Sequence, residues 1–213
     1  MQVHCALRAN RASGQHAVGS FASPRPKPPL GVTTLLRVKE TYSARIIPNI
    51  RRAYEKTNLV QECFILAHCA ILSLSGFHAG TKDTSGATYR KFVADFFPSQ
   101  YDPMGLWRDL RNGLIHAYTL TSTYVLSHRH PEMHFYQMKE VRSERTGELA
   151  GLTFLNFENF LLDLEQAARS YFKKAETEPD LLIRLCKRYD FAPPATYISD
   201  SEIPDNAKLR TWC

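Results

Sequence analysis

The chain has 213 residues, 44% of them hydrophobic, and a net charge of +6. That length fits one domain with appendages, and that composition is ordinary for a globular protein. Residues 1–39 hold Arg8, Arg11, Arg25, Lys27, Arg37 and Lys39 and no acid, so they carry the whole +6 and the rest is neutral. A domain that binds nucleic acid through bulk charge is therefore excluded; any such contact must come from a local cleft or from the basic segment. Five cysteines, Cys5, Cys63, Cys69, Cys186 and Cys213, include no C-x-x-C pair. This argues against a disulfide framework or a cysteine zinc site and for a reducing compartment, the cytoplasm. The longest apolar run, Cys63 to Leu74, is interrupted by His68 and Ser73 and reads as too short for a membrane span.

Residues 1–31 are rich in Ser, Ala, Arg, Gly and Pro, and Pro24-Arg25-Pro26-Lys27-Pro28-Pro29 fits neither helix nor sheet. The segment reads as disordered, or as sequence upstream of a true start near Val32. An organellar transit segment or a basic RNA-binding arm shares its composition. A helical domain is expected over 32–190 and an irregular tail over 191–213.

Helical spacing runs from Thr33 to Thr57, with Pro48 expected to kink or split it. Asn58, with Gln61 three residues on, predicts the start of a central apolar helix that stops at Gly76. His68 within it reads as a core histidine. Gly76, Gly80 and Gly86 lack phosphate-loop spacing and read as punctuation. A helix is predicted from Ala87 to Phe97, with Tyr89, Phe92, Val93 and Phe96 inward. Asp102 and Pro103 then open a helix to about Thr119, striped by Leu106, Leu110, Leu114 and Ala117 and widened by Trp107 and Tyr118. Thr121–Leu126 and Met133–Met138 predict a small β-hairpin, with a third strand at Leu149–Leu155. Asn156 caps an amphipathic helix through Phe172, and Leu181–Tyr189 forms a short last helix.

The chemistry concentrates in Arg111-Asn112-Gly113-Leu114-Ile115-His116. Arginine with histidine five positions on occurs three times, at Arg11, Arg111 and Arg129. Only Arg111 is followed by asparagine, a combination with a chance expectation of about two in a hundred. Histidine moves protons near neutral pH, arginine forks onto phosphate oxygens, and asparagine can orient either. On an ideal α-helix Asp109, Asn112 and His116 share a face, whereas Arg111 and His116 cannot aim at one atom. They can line two walls of a groove, or converge once a second chain supplies its copy, and a working site is expected to need two chains.

Leu106 to Tyr118 resembles the motif helix of HEPN domains, small α-helical nucleotide-binding and RNA-cleaving domains. By position, Arg111 and His116 match the two catalytic residues of that family and Asn112 its variable polar residue. The resemblance implies an all-α, HEPN-like bundle of four to five helices with a small β-hairpin insert after the motif helix. It further implies a metal-independent endoribonuclease that forms a 2′,3′-cyclic phosphate, needs no cofactor, and works as a homodimer in stress response or toxin-like defence. RNA is the expected substrate, with Arg108 and Asp109 as further substrate contacts, and an antitoxin protein is a candidate partner. The alternative is a non-catalytic dimeric module that binds a nucleotide or a protein.

His128, His130 and His134 form the rival constellation, three imidazoles on one predicted turn that zinc can use. A solvated turn is the reading favoured here. Cys63 and Cys69 sit on the buried helix, and no G-x-S-x-G elbow is present. Arg169, Lys173, Lys174, Arg184, Lys187 and Arg188 read as a solvated face or a basic flank for RNA.

Overall fold

A computed structural model gives the fold, described for residues 30–57, 59–117, 124–142 and 149–194. The expected disordered segment (except Leu30 and Gly31), the Asn58 cap, Tyr118 and the tail beyond residue 194 lie outside the described residues. The fold is mostly helical, with one small sheet inserted after the motif helix.

Helix α1 (Leu30–Glu40) begins three residues before the expected Thr33. It continues into α2 (Ile47–Lys56) through a π-helical segment, Thr41–Ile46. Helical winding continues through Pro48, which stands in the first turn of α2, so the proline does not interrupt the helix. A helical proline drives its ring at the carbonyl four residues back. The wider winding just upstream, where Ile47 N–H bonds Tyr42 O, loosens the ladder at that point and lets the rod continue. Leu35, Val38, Tyr42, Ile47 and Ile50 face the core.

Helix α3 (Val60–Ala79) is the central element and packs against α2, α4, α6 and α7. It does not stop at Gly76. That glycine is buried inside the helix, because a Cβ there would stand 3.0 Å from both Arg188 Nε and Thr84 Oγ1. The terminator is Gly80, left-handed at φ 68, whose N–H bonds Gly76 O at 2.9 Å. By length and composition α3 is apolar enough to cross a membrane, contrary to the sequence reading; in this fold 56% of its apolar window is buried among the other helices.

Helix α4 (Gly86–Phe96) starts with a capping box between Ser85 and Thr88. Helix α5 spans residues 103–117. The Asp102 carboxylate caps it, accepting from Met104 N and Gly105 N at 2.9 Å each. Helix α6 (Phe157–Thr177) begins at Asn156, whose side chain accepts from Asn159 N. Helix α7 (Pro179–Phe191) closes the body against α1, α3 and α6. Two aromatic groups fill the centre: Tyr42, Phe77, Phe92, Phe96, Tyr171 and Phe172, and Phe64, Phe97, Tyr101, Phe157 and Phe160. Each edge-to-face or tilted pair adds about 0.5–1.5 kcal/mol beyond the area it buries.

The sheet corrects the expected hairpin. Strands β1 (Tyr124–Ser127), β2 (Gln137–Arg142) and β3 (Leu149–Asn156) lie in the order β1-β3-β2. The predicted hairpin partners do not pair. Instead β1 runs parallel to β3, with Tyr124 opposite Thr153, and β2 runs antiparallel to it, with Gln137 opposite the same residue. The expected third strand is central because Phe154 and Leu155 are its buried apolar pair. The chain between β1 and β2 crosses to the far edge through a 3-10 turn, Pro131–Met133, flanked by positive φ at His130 and Phe135.

Candidate active site

Leu106, Leu110 and Leu114 are fully buried and seat α5 on the core, as the stripe predicts. The winding above that stripe is not α-helical. Leu106–Arg111 and Gly113–Ala117 are π-helical, and Asn112 N–H bonds Trp107 O, five residues back. In such winding residue i+5 lies above residue i. Arg111 and His116 are five apart, and Arg111 Nη1 lies 3.0 Å from His116 Nε2. The expectation that one chain cannot bring them together is therefore wrong, because it assumed 3.6 residues per turn.

Arginine has no acceptor, so His116 Nε2 accepts from Arg111, and the proton of a neutral ring then sits on Nδ1. Arg111 Nη1 also donates to Asn112 Oδ1 at 2.8 Å. Both Nη1 protons are engaged, and Nη2 has no partner among the described residues. His116 is exposed and Arg111 half-buried. The pair is thus held from within and open to solvent at one edge.

Behind the arginine stands a column of rings. The guanidinium carbon lies 4.7 Å from the Trp107 ring centroid, within cation–π range. Trp107 packs on Tyr89, centroids 5.3 Å apart, and Tyr89 Oη lies 2.6 Å from His68 Nδ1. His68 is fully buried, and its Nε2 has no hydrogen-bond partner among the described residues. Burial, reinforced by the Arg111 charge, pushes its pKa down to about 3, so it is a neutral core histidine. The same charge acts on Cys69, partly opposing the rise that burial imposes on that thiol. The positive end of the motif thus lies near α3.

The further predicted contacts divide. Arg108 Nε and Nη2 reach the two oxygens of Asp109 at 2.6 and 2.9 Å, a bidentate pair. Arg108 is exposed, whereas Asp109 is buried at 5% exposure. Asp109 therefore does not share a face with His116, the second consequence of the π winding.

The three rival histidines do not converge. His134 Nδ1 accepts from Asn156 N–H at 3.0 Å, and its Nε2 lies 3.0 Å from Tyr101 Oη, which donates to Asp163 at 2.8 Å. His130 pairs with Glu132 at 3.2 Å. Among the described residues no three His, Cys, Asp or Glu side chains group as metal ligands. His134 instead pins the β1–β2 crossing to the start of α6.

Trp107 as the seat of Arg111 escaped the sequence reading, which counted it as stripe. The usable signal was its spacing: tryptophan four residues before arginine puts ring and cation together on a helix. No family model matches this chain, and no curated protein or solved structure is significantly similar to it.

Proposed function

We propose that the chain is a HEPN-type, metal-independent endoribonuclease whose active residues are Arg111, His116 and Asn112. The observation that carries this reading is the 3.0 Å approach of Arg111 Nη1 to His116 Nε2 on a solvent-open edge. A cation and a titratable base lie side by side, which is what cleavage next to a phosphate needs. In the resting state the Nε2 lone pair is occupied. A phosphate arriving at the guanidinium draws the arginine N–H groups to its own oxygens and frees Nε2. His116 then takes the proton of the ribose 2′-hydroxyl, and the 2′-oxygen attacks phosphorus. The bond to the 5′-oxygen breaks, the leaving oxygen takes a proton from water while His116 returns its proton to solvent, and a 2′,3′-cyclic phosphate and a 5′-hydroxyl result. Asn112 holds Arg111 in place throughout. Arg108, steadied by Asp109, is the next cation an RNA backbone meets.

Assembly belongs to the same proposal. An apolar groove of about 300 Å³ between α2 and α3 is lined by Ile46, Ile50, Leu66 and Ala70, with Cys69, the residue near Arg111, at its edge. Aliphatic walls with few polar atoms suit protein side chains better than a base, and a second copy of the chain is the occupant proposed. A homodimer held there brings two Arg–His pairs near one RNA strand. A toxin-like role in the cytoplasm, restrained by an antitoxin protein, follows from the family resemblance.

The competing reading, a non-catalytic module that binds a nucleotide or a protein, draws on the same Arg111–His116 bond, which leaves Nε2 occupied. Mixed RNAs incubated with purified protein separate the two. Wild type should cut and leave cyclic phosphate ends, with or without EDTA. Arg111→Ala and His116→Ala should each lose activity at least about a hundredfold with unchanged melting, since both side chains lie off the buried stripe. An inert wild type, or cleavage abolished by EDTA and restored by zinc, overturns the assignment.

A further inference from the structure

The ring behind Arg111 is held by an unusual absence. Gly86 opens α4, and a Cβ built on it would stand 2.5 Å from Trp107 Nε1 and 2.6 Å from Cε2. Real Cβ atoms do not approach so closely, so any other residue there would push the indole aside. The indole in turn carries the guanidinium at 4.7 Å and rests on Tyr89. Two successive helices thus fix one cation: α4 by lacking a side chain, and α5 by supplying a ring.

Arg111 needs such a seat. Its Nε is buried without a hydrogen-bond partner among the described residues, and its Nη1 is committed to Asn112 and His116. No carboxylate among the described residues pairs with it. The π face of Trp107 is therefore the main counterweight to its charge. A carboxylate would hold arginine as tightly but would cancel the field that attracts an anion; a ring face holds it and leaves the positive charge available.

We propose that Trp107, seated on Gly86, is the positioning residue for Arg111: it fixes the guanidinium plane so that Nη2 presents to a backbone phosphate of the substrate strand. The inference rests on the reading of Arg111 as the phosphate-binding cation, and its test does not need turnover.

The chain has two tryptophans, Trp107 and Trp212. In a Trp212→Phe protein Trp107 is the sole indole reporter. Its emission should change saturably on titration with a 2′-deoxy oligonucleotide, which cannot be cleaved, and not at all in the Arg111→Ala form. Trp107→Leu should weaken oligonucleotide binding about tenfold, measured by fluorescence anisotropy of a labelled strand, and Trp107→Phe should recover most of it. Gly86→Ala should cause the same loss alone and none further in the Trp107→Leu background, since the methyl then meets no ring. Biosynthetic replacement by fluorinated tryptophan, which drains the ring face without changing packing, should lower affinity in step with the fluorine count, and this arm serves if Trp107→Leu fails to fold. Additive losses for Gly86→Ala and Trp107→Leu, or affinity indifferent to fluorination, overturn the proposal. If the protein cuts no RNA yet these bindings behave as stated, the ribonuclease reading fails and the seat of Arg111 stands.

Discussion

His68 is the residue that ties the site to the core. It is fully buried and neutral, with its pKa pushed down from 6.5 to about 3. An unfolded chain takes up the proton near 6.5, whereas the folded one resists it. The unfolded state therefore binds more protons as the pH falls, and stability present above pH 6.5 drains away toward pH 3 at roughly 1.4 kcal/mol per unit for one such histidine. His78, buried beside Phe92, Phe96 and Tyr171 and lowered to about 4, adds to the loss between about pH 6.5 and 4. Denaturant melts of wild type between about pH 7 and 4.5 should show this slope. The slope for His68→Gln should be smaller by about one proton, and an equal slope in the two proteins would show that another group titrates.

At the scale of the element, winding decides what spacing means. A π segment carries one residue more than an α-helix between the same two points. Deleting Ile115 should let α5 relax to α winding with Arg and His four apart, still neighbours, and the shortened protein should keep anion binding and folding. An alanine inserted after Ile115 has no winding to absorb it; the histidine turns away and cleavage should stop. Equal activity in both variants would refute the role of the winding. The sequence made the helices legible where a stripe or a cap marked them: the Leu106, Leu110, Leu114 stripe, the Asp102 and Asn156 caps, and the apolar face of α6 all stand as read. It hid what depends on hydrogen-bond register. Nothing in the residues around Arg111 distinguishes a bond five residues back from one four back. The hairpin failed because the choice of strand partner rests on which strand has both faces covered. Gly76 misled because a glycine that makes room for Arg188 looks the same as one that ends a helix.

For the whole molecule, charge and shape point to different surfaces. The net +6 belongs to residues 1–39, while the helical body from Glu40 onward is balanced. On the proposed reading, recognition by that body is local, at Arg111 and Arg108. On the groove between α2 and α3 that body leaves an apolar side chain in solvent, Leu66, 44% exposed. Light scattering should give a particle near twice 24.3 kDa, and Leu66→Glu should halve it, since a buried unpaired carboxylate costs several kcal/mol. A monomeric wild type that cuts RNA would leave the single-chain site sufficient.

The central place of α3 has a price in time. Its apolar residues, Val60 to Ala79, leave the ribosome long before α6 and α7, the helices that cover it. About a hundred residues separate the end of α3 from the start of α7, so synthesis at the usual pace leaves the helix partly uncovered for on the order of 5–20 s. During that interval it presents the cell with a greasy rod of membrane-spanning length. Such a nascent chain invites holdase chaperones and insertion machinery alike, and the yield of folded protein should depend on how fast the last two helices arrive.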